Sequence, residues 1–211
     1  MSNWKVRLAQ ASDAEPIAQV ESDAFGDPSY IYPRALKDPK EFRAWQMDSN
    51  LSVIRDAENA ASSTTMTWLV VENTTDSRLA AILRFERVQN LVATPHVLII
   101  DAPFGGPEQA AFLNAMTLTR RKIMGTQPHI YVYVLATHPD YQRRGAASAV
   151  LDHMRRIADE DNLPMYLESS PIGVGMYDKM GFKEVGSTGP FPLTHGQVMV
   201  PVMVREPDRR S

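Results

Sequence analysis

The stretch that decides the fold runs from Tyr131 to Ser148 and reads YVYVLATHPDYQRRGAAS. Its apolar first half predicts a buried β-strand, the polar residues that follow predict a sharp turn, and Gly145 opens a helix. The first N–H groups of a helix have no intrahelical acceptor, and here Arg143 and Arg144 stand beside them. Such a turn is suited to binding a pyrophosphate.

The composition is that of a globular protein with a sizeable core. The chain has 211 residues, of which 44% are hydrophobic, and a formal charge of −3, which argues against nucleic-acid binding. It has no cysteine, which excludes disulfides, thiolate zinc sites and a cysteine nucleophile. No apolar run approaches the roughly 20 residues of a membrane span, and no signal-type segment follows Met1. We therefore expect a cytoplasmic protein without membrane contact.

Periodicity and turn residues predict the other elements. In the first half of the chain we expect a strand at Trp4–Leu8, a helix behind a capping box at Ser12–Glu15, a helix after Asp38-Pro39 that carries Phe42 and Trp45, and a hairpin of Thr67–Glu72 with Leu79–Arg87. A helix from Pro107 to Gly125 and a helix with an apolar stripe after Gly145 follow. The last elements are a strand at Met165–Glu168, a short helix capped by Gly181, and strands at Lys183–Gly186 and Val198–Val204. Arg120, Arg121 and Lys122 are interpreted as basic residues that complement the dipole at a helix end.

The turn contains the pattern Q-x-x-G-x-A, formed by Gln142, Gly145 and Ala147. Gly145 would let the backbone approach a diphosphate, and the small residues after it would keep that approach open. Taken alone, the pattern leaves open an ordinary helix start with solvated arginines.

A second motif, Tyr177-Asp178-Lys179-Met180-Gly181-Phe182, follows the first at a characteristic distance. With both motifs in this order, the sequence resembles the GNAT superfamily of acyl-CoA-dependent N-acyltransferases, and is most similar to its fungal members. The resemblance implies one α/β domain over residues 1–205, with a flexible tail at 206–211. Its central sheet would be mixed and mostly antiparallel, with parallel strands splayed apart, and helices would flank it.

The resemblance also implies acetyl-CoA as cosubstrate. The backbone of Leu135, Ala136 and Thr137 would pair with the pantetheine arm, and the pyrophosphate would lie on Gln142, Arg143, Arg144, Gly145, Ala146, Ala147 and Ser148. Ser170, where many members carry asparagine, and Lys179 are further candidate contacts. For Lys179, a plain exposed lysine is an equal alternative.

Tyr177 matches the family tyrosine that lies near the CoA sulfur and protonates the departing thiolate; the alternative is a core tyrosine. The general base is less clear, because the glutamate that many members carry on the central strand is absent. Glu168, acting through water, and His138 are the candidates. The alternative for Glu168 is a structural carboxylate in an ion pair, and the alternative for His138 is a structural residue of the turn.

The predicted reaction is direct attack of a primary amine on the thioester in a ternary complex, without a covalent enzyme intermediate. The acceptor is expected to be a small molecule bordered by Phe25, Tyr30 and Tyr133, with Tyr32, Trp45 and the loop Asp101–Gly106 nearby. Two alternatives stay open: a protein or peptide acceptor, and a non-catalytic acyl-CoA sensor. The histidines show no metal-ligand spacing, so no metal is expected, and the chain would be a monomer or a homodimer.

Overall fold

The computed structural model describes residues 3–25, 39–59, 66–89, 107–193 and 196–208. Seven strands are present in this part of the chain: β1 (Trp4–Leu8), β2 (Met66–Asn73), β3 (Leu79–Val88), β4 (His129–Thr137), β5 (Met165–Glu168), β6 (Lys183–Leu193) and β7 (Gly196–Arg205). The helices are α1 (Ala14–Phe25), α2 (Pro39–Glu58), α3 (Pro107–Met124), α4 (Ala146–Asp161) and α5 (Val174–Lys179).

The strands form one sheet in the order β1-β2-β3-β4-β5-β7-β6. The pairs β1/β2, β2/β3, β5/β7 and β6/β7 are antiparallel. The parallel pair is β4/β5, and the connection between these strands passes through helix α4, as a parallel crossover requires. The predicted α/β fold, with a mixed and mostly antiparallel sheet flanked by helices, is confirmed. The splay between parallel strands and the domain limit at residue 205 stay predictions.

Backbone contacts divide the chain into two compact units. The first comprises Met1–Asp27, Pro39–Glu86 and Val132–Ile157, and the second comprises Pro28–Asp38, Arg87–Tyr131 and Ala158–Ser211. Each unit has a core of its own, and each is described separately below.

The core of the first unit lies where α1 and α2 pack on the sheet. Ile17 of α1, Ile54 of α2, Trp68 of β2 and Ile82 of β3 are almost fully buried in one cluster with Ala136 of β4. Burying a side chain of this size contributes about 1.5–3 kcal/mol. The helical spacing of the apolar residues in α1 and α2 thus fixes which helix faces cover the strands.

The core of the second unit joins α3 to strands β4, β5 and β7. Met124, Tyr131, Tyr166 and Val202 are buried together, and Val88 at the end of β3 completes the cluster. Two of these five residues are tyrosines, whose hydroxyl groups need polar partners inside the core. We therefore expect a buried polar network in the core of the second unit.

Three predictions about local structure need correction. The cap before α1 is not at Ser12–Glu15: a 3₁₀ turn at Ala11–Asp13 comes first, and the Gln10 N–H donates to Asp13 Oδ2 at 2.7 Å. The last two strands are longer than predicted, because pairing continues past Gly186 through register shifts. The third correction concerns Arg120, which is buried rather than displayed at a helix end.

Candidate active site

The predicted phosphate-binding turn lies in the first unit, between β4 and α4. Arg143 has φ +61° and Gly145 has φ +89°, so the chain passes twice through the left-handed region before α4 begins. The Ala149 N–H donates to the Gly145 carbonyl at 2.9 Å, which starts the helix as predicted. Arg143, Arg144 and Gly145 are all exposed. The turn therefore offers exposed positive charge beside a helix start, which fits the diphosphate of CoA.

Glycine is needed at position 145 because of its backbone angle rather than for lack of room. A Cβ there would lie 3.7 Å from Trp4 Nε1, an ordinary contact, but φ +89° is unfavourable for any residue with a side chain. The sequence prediction gave close backbone approach as the reason for this glycine, and the structure adds the conformational one.

Trp4, far from the turn in sequence, holds it in place. Its indole N–H donates to the Arg144 carbonyl at 3.0 Å, and its ring meets Tyr141 edge-on at a centroid distance of 6.0 Å. The Tyr141 hydroxyl in turn donates to Asp76 Oδ2 at 2.5 Å. Trp4, Tyr141 and Arg144 border an open groove of about 660 Å³ beside Gly145. Sequence reasoning missed Trp4 because nothing local in its pattern points to residue 144.

The end of β4 carries the residues expected to pair with pantetheine. Gln142 Nε2 donates to the Thr137 carbonyl over 3.4 Å, so the predicted turn residue contacts the predicted strand end. Ala136 is buried, whereas Leu135 and Thr137 are partly exposed. The roles of these residues toward CoA stay predictions.

His138, one candidate base, is engaged in the turn. Its Nδ1 accepts the Asp140 N–H at 3.2 Å, which caps the 3₁₀ turn at Pro139–Tyr141. Its Nε2 lies 3.2 Å from Asp23 Oδ2. Both ring nitrogens of His138 thus contact neighbouring residues. This geometry favours a structural role in the turn over a role as general base.

Glu168, the other candidate base, lies in the second unit within the polar network that this core requires. The Tyr166 hydroxyl donates to Glu168 Oε1 at 3.0 Å, and the Tyr131 hydroxyl also hydrogen-bonds the carboxylate. Burial raises the pKa of Glu168 to about 7, although both tyrosines and the charge of Arg120 act to lower it. A carboxyl with this pKa exchanges its proton near neutral pH, as a general base must.

Tyr177 begins the last turn of α5 and is 8% exposed. Burial raises its pKa, so the phenol keeps its proton at neutral pH. Its ring packs edge-on against Phe182 at 5.6 Å, and within the described ranges its hydroxyl has no hydrogen-bond partner. A buried, protonated hydroxyl without a partner is able to donate to a ligand.

The backbone around Tyr177 depends on two glycines. Gly181 has φ +90° and ends α5, as predicted. Gly173, which sequence analysis did not single out, has no space for a side chain: a Cβ there would lie 2.9 Å from Ser169 Oγ and 3.2 Å from Tyr177 Cε2. A clash at Gly173 would therefore displace the Tyr177 ring.

The remaining predicted CoA contacts in the second unit are exposed. Ser170 is exposed, and its carbonyl accepts from Ser169 Oγ at 2.7 Å and from the Gly173 N–H at 2.9 Å. Lys179 is exposed at the end of α5. The exposure of Ser170 and Lys179 is compatible both with a contact to CoA and with an ordinary surface position.

The predicted acceptor residues are only partly described. Phe25 is 51% exposed at the end of α1. The Tyr133 hydroxyl donates to Glu86 Oε2 at 2.6 Å, and Arg84 lies 5.7 Å from the centroid of the Tyr133 ring. Trp45 stacks against Phe42 in α2. Tyr30, Tyr32 and Asp101–Gly106 fall outside the described residues.

Glu21, a buried carboxyl in α1, was not singled out from the sequence. Asn50 of α2 donates to its Oε2 at 3.3 Å. Burial raises the pKa of Glu21, while the charges of Arg84 and Arg43 act against that rise. The first unit thus has a polar cluster that joins α1 to α2, and the helical spacing of the apolar residues gave no sign of it.

Comparison with known proteins agrees with this description. Residues 116–199 match the family model for the acetyltransferase (GNAT) domain. A search of the curated proteins finds no significant match. No helix in the described ranges has both the length and the apolarity needed to cross a bilayer.

Several solved acetyltransferases share the fold over the whole chain. A histone acetyltransferase HPA2-related protein from Corynebacterium glutamicum is 19% identical, with a TM-score of 0.64, and the match covers 100% of this chain and 99% of that one. A mosquito arylalkylamine N-acetyltransferase-like protein is 11% identical, with a TM-score of 0.68 over 96% of this chain and 99% of the other. The PaiA N-acetyltransferase from Thermoplasma acidophilum, solved with coenzyme A, is 14% identical, with a TM-score of 0.55 over 98% and 99%.

Proposed function

We propose that this chain, which is a member of the GNAT superfamily, transfers an acetyl group from acetyl-CoA to a primary amine. The observation that carries the proposal is Tyr177: a buried phenol that keeps its proton and whose hydroxyl has no partner within the described residues. In the same unit, burial raises the pKa of Glu168 to about 7, so this carboxyl can take up and release a proton near neutral pH. An acid and a base with these properties are what amine acetylation needs.

The chemistry can be written with every proton placed. An alkylammonium has a pKa near that of lysine, about 10.4, so it must lose a proton before it attacks. We assign that proton to the Glu168 carboxylate, through a water molecule. The amine nitrogen then forms a bond to the thioester carbonyl carbon, the C–S bond breaks, and Tyr177 protonates the CoA thiolate. The attacking nitrogen gives up its second proton through water to the Tyr177 phenolate, which leaves a neutral amide, and Glu168 releases the first proton to solvent. No bond to the protein forms at any stage, because the thioester is already activated.

The binding of acetyl-CoA is assigned to the turn residues. Arg143 and Arg144 supply positive charge, and the backbone from Gly145 to Ser148 supplies N–H donors at the start of α4. The exposure of this turn and the positive φ of Gly145 support the assignment. Leu135, Ala136 and Thr137 are assigned to pantetheine, with Ser170 and Lys179 as further contacts. These assignments rest on the family motif.

We propose a small primary amine as the acceptor, with Phe25 and Tyr133 among the residues that meet it. Tyr133 is 38% exposed, with the guanidinium of Arg84 over its ring and its hydroxyl on Glu86. One of the similar structures is named after arylalkylamine N-acetyltransferases, whose name refers to amines with an aromatic group. An amine of this kind is therefore the first acceptor to test.

The decisive experiment measures thiol release from acetyl-CoA with a library of aromatic and aliphatic amines and with short peptides. We expect turnover with small amines, and we expect Tyr177→Phe to lower kcat by about 10²–10⁴ while CoA still binds. Tyr141→Phe, which removes a hydroxyl from the support of the turn, is expected to change the KM for acetyl-CoA rather than kcat. Turnover with peptides alone would assign a protein acceptor, and binding without turnover would assign an acyl-CoA sensor.

A further inference from the structure

The inference concerns Arg120, which lies near the end of α3. Three basic residues, Arg120, Arg121 and Lys122, end this helix, and the sequence assigned all three to its dipole. In the structure Lys122 is exposed, whereas Arg120 is only 8% exposed. A guanidinium is seldom buried unless its neighbours use its charge.

The guanidinium of Arg120 lies on the face of Tyr131. Its central carbon is 4.1 Å from the ring centroid, which is well within the range of a cation–π interaction. Such contacts are stronger when the cation is withdrawn from water, as it is here. The position of the Tyr131 ring on β4 is therefore fixed from one side by Arg120.

Tyr131 connects Arg120 to Glu168. Its ring meets Tyr166 edge-on at 5.6 Å, and its hydroxyl hydrogen-bonds the Glu168 carboxylate. Tyr166 donates to the same carboxylate at 3.0 Å. Glu168 is thus held by two hydroxyl groups, and the ring that carries one of them is stacked on the buried cation.

We infer that Arg120 is a positioning residue for Glu168: it holds the Tyr131 ring by its face and so keeps the Tyr131 hydroxyl on the carboxylate. In naming Glu168 the base, this inference rests on the proposed function. Arg120 therefore acts on Glu168 in two ways, by holding the Tyr131 ring and by its own charge, and it does not itself contact the reacting atoms.

The groups that act on the Glu168 carboxyl come from β4, β5 and α3. Tyr166 belongs to the same strand, Tyr131 to β4 and Arg120 to α3. On β7, the residue opposite Glu168 is Val202, which is apolar. Arg120 is the cation that acts on the carboxyl, and its charge lowers a pKa that burial has raised.

The test follows the Glu168 carboxyl directly, by ¹³C NMR titration of protein labelled at the glutamate side-chain carboxyl carbon. The Glu168 signal is assigned by its loss in Glu168→Gln. Arg120→Met removes the charge and keeps a long apolar side chain, and we expect it to raise the measured pKa by roughly one unit, as loss of a nearby opposite charge does. Tyr131→Phe keeps the ring but removes the hydroxyl, and the pKa should rise in this variant too.

Lys122→Met is the matched control, because it removes a positive charge two residues away on the same helix, at an exposed position. It should leave the Glu168 titration unchanged. In the double variant Arg120→Met/Tyr131→Phe, the direct charge effect of Arg120 adds to the loss of the hydroxyl, but the part of the Arg120 effect that passes through Tyr131 is lost only once. The rise should therefore be smaller than the sum of the two single rises. Full additivity would overturn the positioning role.

Kinetics supply a readout that general loss of structure would not reproduce. The acidic limb of the pH profile of kcat/KM should move to higher pH in Arg120→Met, while the KM for acetyl-CoA stays within about twofold. If Arg120→Met does not fold, Arg120→Lys decides: the charge is kept and the planar face is lost, so we expect a smaller rise in the pKa of Glu168.

The outcomes separate the inference from the proposed function. An unchanged Glu168 titration in the folded Arg120 and Tyr131 variants overturns the inference, whatever the activity. If the titration shifts as expected but no amine is acetylated, the positioning contact stands and the proposed function fails.

Discussion

Replacing Glu168 by glutamine should change how the stability of the protein depends on pH. Burial raises the pKa of Glu168 from its ordinary 4.5 to about 7 in the folded protein. Between these two values the folded chain keeps the proton that the unfolded chain has lost. The side chain therefore favours folding fully below pH 4.5, and that contribution is lost as the pH rises through 7.

The magnitude follows from the size of the shift. Each pKa unit corresponds to about 1.36 kcal/mol, so a rise from 4.5 to about 7 removes about 3 kcal/mol of stability across this window. Glutamine has nearly the same shape and does not titrate. The difference in free energy of unfolding, wild type minus Glu168→Gln, should therefore fall by about 3 kcal/mol between pH 4.5 and pH 8.

The assay is urea denaturation of both proteins at half-unit steps from pH 4.5 to pH 8.5. The other titrating groups are common to both chains, so their contributions cancel in the difference when the sites are independent. Glu184→Gln, at an exposed position on β6, controls for the removal of a surface carboxylate. A difference that stays flat over this window, or that rises with pH, would refute the argument that Glu168 is desolvated.

Three further predictions concern a glycine and two ion pairs, each of which lies within one unit. Gly145→Ala places a side chain at φ +89° and should cost about 1–2 kcal/mol of stability and weaken CoA binding, as thermal unfolding and calorimetric titration with CoA will show. Asp13→Ala removes the acceptor of the Gln10 N–H and the partner of Arg7 at 2.6 Å, and should lower the free energy of unfolding in urea by about 2 kcal/mol. Arg205→Met removes the buried ion-pair contact at 2.7 Å to Asp159 and should lower the free energy of unfolding in urea by roughly 3 kcal/mol; a loss no larger than that of an exposed ion pair would contradict it.

The elements around the turn were predictable because their signals are local. The hairpin of β2 and β3 needed only two strand-like runs joined by a polar turn, and strands Trp4–Leu8 and Met165–Glu168 have the predicted bounds. Gly145 and Gly181 both take positive φ, and a glycine at the start or end of a helix predicts this backbone angle because other residues rarely adopt it. Periodicity also identified the buried stripe of α4.

The candidate site was predictable only in part. The motifs assigned Tyr177 and the turn, but they named no base, and the sequence left Glu168 and His138 open as candidates, each with a structural alternative. The contacts of both His138 ring nitrogens, and the desolvation that raises the pKa of Glu168 to about 7, depend on neighbours from other elements. The sequence contains no local signal for either.

The sequence by itself determined the strand–turn–helix at Tyr131–Ser148, its glycine and its charges, because these follow from backbone angles and from spacing along the chain. Tertiary structure decided which distant residues support them. The Trp4 indole donates to the carbonyl of Arg144, and the Arg120 guanidinium lies on the face of Tyr131, whose hydroxyl hydrogen-bonds Glu168. The physical reason is burial. An arginine at the end of a helix has the same local pattern whether water or a tyrosine ring covers it, and only the packing of distant elements removes the water.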